Sequence, residues 1–134
     1  MKKLIIFAFL ICLACNQDVS EKLVGQWAID EIEYNGIDYK DNLYVNFMAF
    51  EENKDIYIPE SRKVAKDRNA NWSWNNKKNE LSIVCNDKAF EGKYSVNYIK
   101  DRKRKLLGIE LKSEKTFIRA YKYYQNFDRD GIGW

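Results

Sequence analysis

The sequence predicts an all-β domain, an eight-stranded antiparallel up-and-down barrel, set behind a short N-terminal export segment. Three observations carry this expectation. Aromatic residues make up 15% of the chain, and Tyr, Trp, Phe, Ile and Val dominate its body, which suits strands better than helices. Proline occurs once, at Pro59, and no stretch beyond ten residues has convincing helical periodicity, 59–69 coming nearest. Turn residues recur at intervals of about 8–16 residues, the spacing of an antiparallel meander.

The N-terminus is an address. Met1-Lys2-Lys3 is a positive start, and Leu4 to Ala14 is an unbroken apolar run. As a helix this run would reach about 16 Å, half the thickness of a bilayer core, so it reads as a signal peptide over 1–14. The run ends in Cys12-Leu13-Ala14-Cys15-Asn16. This resembles a bacterial lipobox, in which a small residue precedes a cysteine that is acylated, palmitate-type chains included. The resemblance implies lipidation at Cys15 and anchorage of an exported chain to the cell envelope, with the outer membrane as the expected location. More than one acyl chain on a cysteine anchors stably, where a single chain is marginal. Residues 15–22, polar and with little to bury, read as a tether. Acylation of Cys15 would leave Cys85 alone in the mature chain, so the fold must stand without an internal disulfide. In Leu81-Ser82-Ile83-Val84-Cys85 that cysteine keeps step with Leu81 and Ile83, as a small buried hydrophobe does.

The barrel is expected over 23–124. Its strands fall at 23–34, 43–51, 55–59, 70–75, 80–85, 89–100, 106–112 and 116–124, and residues 125–134 form a tail carrying Phe127 and Trp134. Asn35-Gly36 is the strongest hairpin signal, because both residues tolerate positive φ. In the first strand Trp27 and Ile29 share a face while Ile32 and Tyr34 take the other, which predicts a bulge near Asp30-Glu31. The 43–51 strand is apolar on both parities, which leaves its inward face open. Trp72 pairs with Trp74, Tyr94 with Val96 and Tyr98, and Leu107 with Ile109 and Leu111. Eight such strands form a sandwich or a closed barrel. Closure removes the exposed edges, and neighbour-to-neighbour connections suit the up-and-down barrel.

Leu23-Val24-Gly25-Gln26-Trp27, at the head of the first strand, resembles the Gly-x-Trp signature of lipocalins. In that family the Trp closes one end of an eight-stranded barrel and an Arg late in the last strand packs across its ring. Lys115-Thr116-Phe117-Ile118-Arg119-Ala120 offers Arg119 for that place, so the resemblance implies a cation–π pair between Arg119 and Trp27. It covers about 23–124 and is nearest to small lipocalin-like domains on bacterial lipoproteins. The second lipocalin signature, around a Thr-Asp-Tyr turn, has no counterpart here.

Other features exclude more than they assign. The chain has no histidine, which removes Ser-His-Asp and Cys-His nucleophile systems and every His-containing zinc site. No metal site, cofactor or catalytic residue is expected. With Lys2 and Lys3 set aside, the 23 basic and 20 acidic residues come within one charge of balance, so nothing general draws the domain to nucleic acid. Glu31 and Glu33 share a strand face without a nucleophile or metal ligands and read as a solvated face. Asp128-Arg129-Asp130-Gly131 opens like a calcium loop but lacks its later ligands. Asn71-Trp72-Ser73 is an accidental glycosylation sequon in such a chain. The basic run Asp101-Arg102-Lys103-Arg104-Lys105 reads as a hairpin tip, with contact to anionic headgroups or lipopolysaccharide phosphates as its other reading. Arg62, Lys63, Lys66 and Arg68 form a looser patch.

Two functional expectations follow. The first is a non-catalytic lipoprotein that binds a small apolar ligand in a cavity lined by Trp72, Trp74, Tyr94 and Tyr98. The alternative is a filled barrel acting on a protein partner as an inhibitor, immunity or assembly factor. An aromatic-lined cavity above about 300 Å³ favours the first, and an exposed apolar surface without one favours the second.

Overall fold

The structure, a computed structural model, describes residues 18–123. The segment expected to be a signal peptide, Cys12, Cys15 and residues 124–134, with Phe127 and Trp134, lie outside the described residues. A helix, α1 (Asp18–Leu23), leads into β1 (Gly25–Tyr34), β2 (Ile37–Asp38), a 3-10 turn (Lys40–Asn42), β3 (Phe47–Phe50) and β4 (Ile56–Tyr57). Then come β5 (Asn71–Asn75), β6 (Glu80–Val84), β7 (Gly92–Asp101), β8 (Leu106–Lys112) and β9 (Thr116–Lys122). All pairings are antiparallel, in the order β4-β3-β1-β9-β8-β7-β6-β5, with β2 paired to β1 beside this path. The eight strands form a nearly closed barrel. A single bridge, Asp55 to Asn71, draws the ends of the path together, with Trp72 N–H donating to Lys54 O at 2.9 Å.

Alternation decides which residues fill it. On β9 the buried positions are Thr116, Ile118, Ala120 and Lys122, and on β8 the inner row is Leu107, Ile109 and Leu111. The register of β1 against β9 shifts between Ile29 and Glu31, which is the bulge the parity change in β1 requires. Below it Trp27 and Ile29 face inward; beyond it Ile32 does. Asn35 and Gly36 have φ of 53° and 76°, the two positive values of a tight hairpin turn, with Tyr34 paired to Ile37.

Two expectations need correction. The Asn35-Gly36 hairpin returns into the two-residue β2 and not into a long strand: the 43–51 strand shrinks to Phe47–Phe50, with Met48 and Phe50 inward and Tyr44 and Val45 exposed. The 15–22 tether is folded from Asp18 onward, and Leu23, expected to open the first strand, ends the helix at 0% exposure. Six residues are too few for a periodic pattern, so α1 left no trace in the sequence. The 59–69 stretch is irregular, in keeping with its weak periodicity.

The connections sort to two ends. The β3–β4, β5–β6 and β7–β8 turns lie at the end where β1 begins and α1 sits. The connections 35–46, 58–70, 85–91 and 113–115 lie at the other end.

Candidate functional site

Both barrel ends are closed from within. At the first, Gly25 has φ of 134°, a backbone that side chains other than glycine's rarely adopt, and it turns the chain sharply from helix into strand. That turn sets Trp27 beneath α1, where its indole N–H donates to Leu23 O at 2.8 Å and its ring is fully buried. Lys122, 1% exposed, donates to Lys22 O at 3.0 Å and holds its Nζ 5.4 Å from the Trp27 ring centre. Tyr98 donates to Val19 O at 2.8 Å, fastening the helix to β7.

Arg119 therefore does not occupy the place the lipocalin resemblance implied. It sits on β9, adjacent to β1, but its register partner is Glu31, and the residue opposite Trp27 is Lys122. Strand parity is the reason. Ile118, Ala120 and Lys122 face inward, which puts Arg119 outside. There it lies 3.0 Å from Glu31 and 3.3 Å from Glu110, spanning three strands, with its guanidinium 5.5 Å from the Phe117 ring centre. Glu31 thus belongs to an ion-pair ladder, an outer-face role like the one expected for it.

At the second end a buried polar knot ties three connections together. Tyr39 from the first donates its hydroxyl to the Asp87 carboxylate of the third, 3.1 Å to Oδ2, and lies 3.3 Å from Ser61 Oγ of the second. Tyr39, Ser61 and Asp87 are each at most 6% exposed. Asp87 also accepts the Ala89 N–H at 3.0 Å, and its carbonyl accepts the Cys85 thiol at 3.3 Å. Asn86 N–H reaches Asp67 Oδ2 at 2.7 Å, and Thr116 donates to Ala89 O at 2.8 Å, bringing in the remaining connection. Sequence reading missed this knot, because its members lie 22 and 48 residues apart with no local pattern.

The chemistry of the knot is that of structure. Burial pushes the Tyr39 hydroxyl above its usual range and the Cys85 thiol up to about 12, so neither is primed as base or nucleophile. Ser61 Oγ accepts the Val64 N–H at 3.0 Å, a local turn bond. Among the described residues no cluster of three metal-binding side chains occurs, and no helix is long and apolar enough to cross a membrane.

The four residues expected around a cavity are placed as follows. Trp72 and Tyr94 are buried in the core, and Trp74 and Tyr98 pack half-buried against it. Each has its polar atom engaged: Trp72 with Glu51 O at 3.0 Å, Tyr94 with Phe90 O at 2.6 Å, Trp74 with Asn76 Oδ1 at 2.7 Å, Tyr98 with Val19 O. Phe50 meets Trp72 edge-on at 5.5 Å. A concavity of about 440 Å³ lies at the second end, among Tyr34, Lys88, Glu91, Lys93, Glu114 and Lys115. A smaller one of about 230 Å³ adjoins Tyr34, Ile37 and Tyr39. Neither is lined by the four aromatics.

Fold and ends together define a class: an antiparallel barrel plugged at both mouths, with side chains packed between. No family model matches the chain, and neither a curated protein nor a solved structure is detectably similar to it.

Proposed function

We propose that the chain is an exported lipoprotein of the bacterial cell envelope, anchored through Cys15 to the outer membrane. It carries a lipocalin-like barrel and acts without catalysis on a protein partner. The sequence left two readings open, an apolar-ligand carrier and a filled interaction module, and the plugged ends support the second. The 440 Å³ concavity is ringed by lysines and glutamates, which suits an apolar ligand poorly.

The observation that carries the reading is that three of the five exposed large apolar side chains among the described residues fall in one connection. Ile37 at 72%, Tyr44 at 67% and Val45 at 46% exposure all belong to the connection 35–46. That connection lies at the end opposite α1, so a chain anchored by its N-terminus presents it away from the membrane. Partner contacts commonly centre on such aromatic and aliphatic side chains.

A photo-crosslinking residue at Tyr44, in the native envelope, should trap one discrete protein adduct that Ile37→Asp abolishes. The same crosslinker at Lys78, at the first end, should not trap it. Native mass spectrometry of the extracted chain should show the acyl mass on Cys15 and no further small molecule. A stoichiometric apolar ligand with no adduct at Tyr44 would return the carrier reading.

A further inference from the structure

We infer that the β7–β8 turn is a second, electrostatic membrane contact that lays Arg102–Lys105 on the anionic headgroups of the leaflet holding the anchor. This rests on the lipid anchor proposed above. The topology brings the two together. β7 runs toward the end where α1 sits, and beyond Tyr94 it pairs with β8 alone, so the turn stands out from that end. Tyr98 lies only four residues before Arg102, and its hydroxyl holds Val19 O at 2.8 Å. Cys15 precedes Asp18 by three residues, a reach of about 11 Å at most. From Tyr98 to the turn the strand advances about 13 Å. The basic turn therefore stands on the flank of the barrel that α1 is fastened to, at a distance from Val19 comparable to the span open to Cys15.

Charge on that side suits an anionic surface. Arg102, Lys103, Arg104 and Lys105 are all exposed, as are Lys77 and Lys78 in the neighbouring β5–β6 turn. The nearest acid, Asp101, is partly buried and engaged: it accepts the Arg104 N–H at 3.1 Å and lies 3.5 Å from its guanidinium. This bond and the φ of 54° at Lys105 hold the turn in one shape. Glu21 and Glu52 gather on the other flank of α1, beside Lys54. Each basic side chain near an anionic leaflet strengthens binding about five-fold, within a Debye length of about 10 Å. A lipid chain holding the turn there supplies that proximity.

The test uses the lipidated chain in vesicles of phosphatidylcholine, with or without about one-third phosphatidylglycerol, and trypsin as the probe of the turn. Cleavage within Arg102–Lys105 should slow about ten-fold on the anionic vesicles and recover in high salt. In parallel, the mature Cys15→Ser chain should float with anionic vesicles and not with phosphatidylcholine alone. Arg102→Glu/Lys103→Glu should weaken that flotation at least about 25-fold with an unchanged circular dichroism spectrum. Equal cleavage on both vesicles, or flotation indifferent to the charge reversal, overturns the inference. Absence of acyl mass on Cys15 overturns the anchor instead, while the Cys15→Ser arm still reads the turn.

Discussion

Lys122 and Trp27 face each other across the β9–β1 seam, paired in register, with the ammonium 5.4 Å from the ring centre. The same nitrogen donates to the carbonyl of Lys22 in α1. One side chain from the last strand thus binds the first strand and the helix that lids it, in a site almost closed to water. A ring face and a carbonyl together offset part of the cost of burying its charge.

Lys122→Met keeps the stem and removes the charge. It should cost about 1–3 kcal/mol, since the Lys22 carbonyl loses its donor and the ring its cation. Trp27→Ala should cost about 3–5 kcal/mol through the cavity it leaves. In a double-mutant cycle by urea denaturation the two should couple by at least about 0.5 kcal/mol.

Arg119 should behave differently, although it lies on the same strand. Its partners are 20–40% exposed, so water and salt screen the ladder. Arg119→Ala should cost no more than about 1 kcal/mol, fade in high salt, and show no coupling to Trp27→Ala. Strong coupling to Trp27 would restore the arrangement first implied for Arg119.

The contrast shows what was legible. The parity that sets Lys122 inward and Arg119 outward was not written in the sequence: Thr116, Ile118, Ala120 and Lys122 fill the inner row, while the equally apolar Phe117 and Tyr121 share the outer row with Arg119. The family resemblance implied an arginine over the ring, and the cation found there is the lysine three residues on. The β1 bulge and the Asn35-Gly36 turn were readable because both are local, one a parity change and the other a dipeptide. The Tyr39–Ser61–Asp87 knot was not, since each member sits in an irregular connection and meets the others only after the barrel closes. The exposed connection 35–46 was hidden for a related reason. Its last residues belong to 43–51, which is apolar on both parities and resembles more strand than it forms.

The knot should govern the second end. Asp87→Ala takes the carboxylate from the buried Tyr39 hydroxyl, leaving it only Ser61 Oγ, and frees the Ala89 N–H, and should cost about 2–3 kcal/mol. Tyr39→Phe leaves the carboxylate one donor short and should cost about 1–2 kcal/mol. Limited proteolysis should then quicken in 58–70 and 85–91 while the β7–β8 turn is cut at its former rate.

Cys85 should report alkaline loosening of the same end. Burial raises its folded pKa from about 9 to about 12, so the fold favours the neutral thiol. The stability tied to that preference is complete below about pH 9 and is lost as pH rises toward 12. Tyr39, also raised by burial, acts in the same direction above pH 10. At pH 8 the native thiol should react with iodoacetamide about 1,000-fold more slowly than in urea, as its smaller thiolate fraction requires. Equal rates would mean the end is open.

Gly108 is matched to Tyr121 on the outer face. The two are register partners, and a Cβ at Gly108 would fall 2.9 Å from the Tyr121 ring and 3.4 Å from the Ala120 carbonyl. The ring lies over the space the glycine leaves, covering backbone that would otherwise meet water. A side chain there must push the tyrosine off the sheet. Gly108→Val should cost about 1–3 kcal/mol, despite valine's preference for strands. Tyr121→Ala should cost less, since its ring is partly exposed. Gly108→Val in the Tyr121→Ala background should then be nearly neutral, because the clash is gone and only the carbonyl contact remains. Thermal denaturation of the four proteins measures the cycle. Additive losses would show that strand geometry at Gly108, and not the ring above it, demands the glycine.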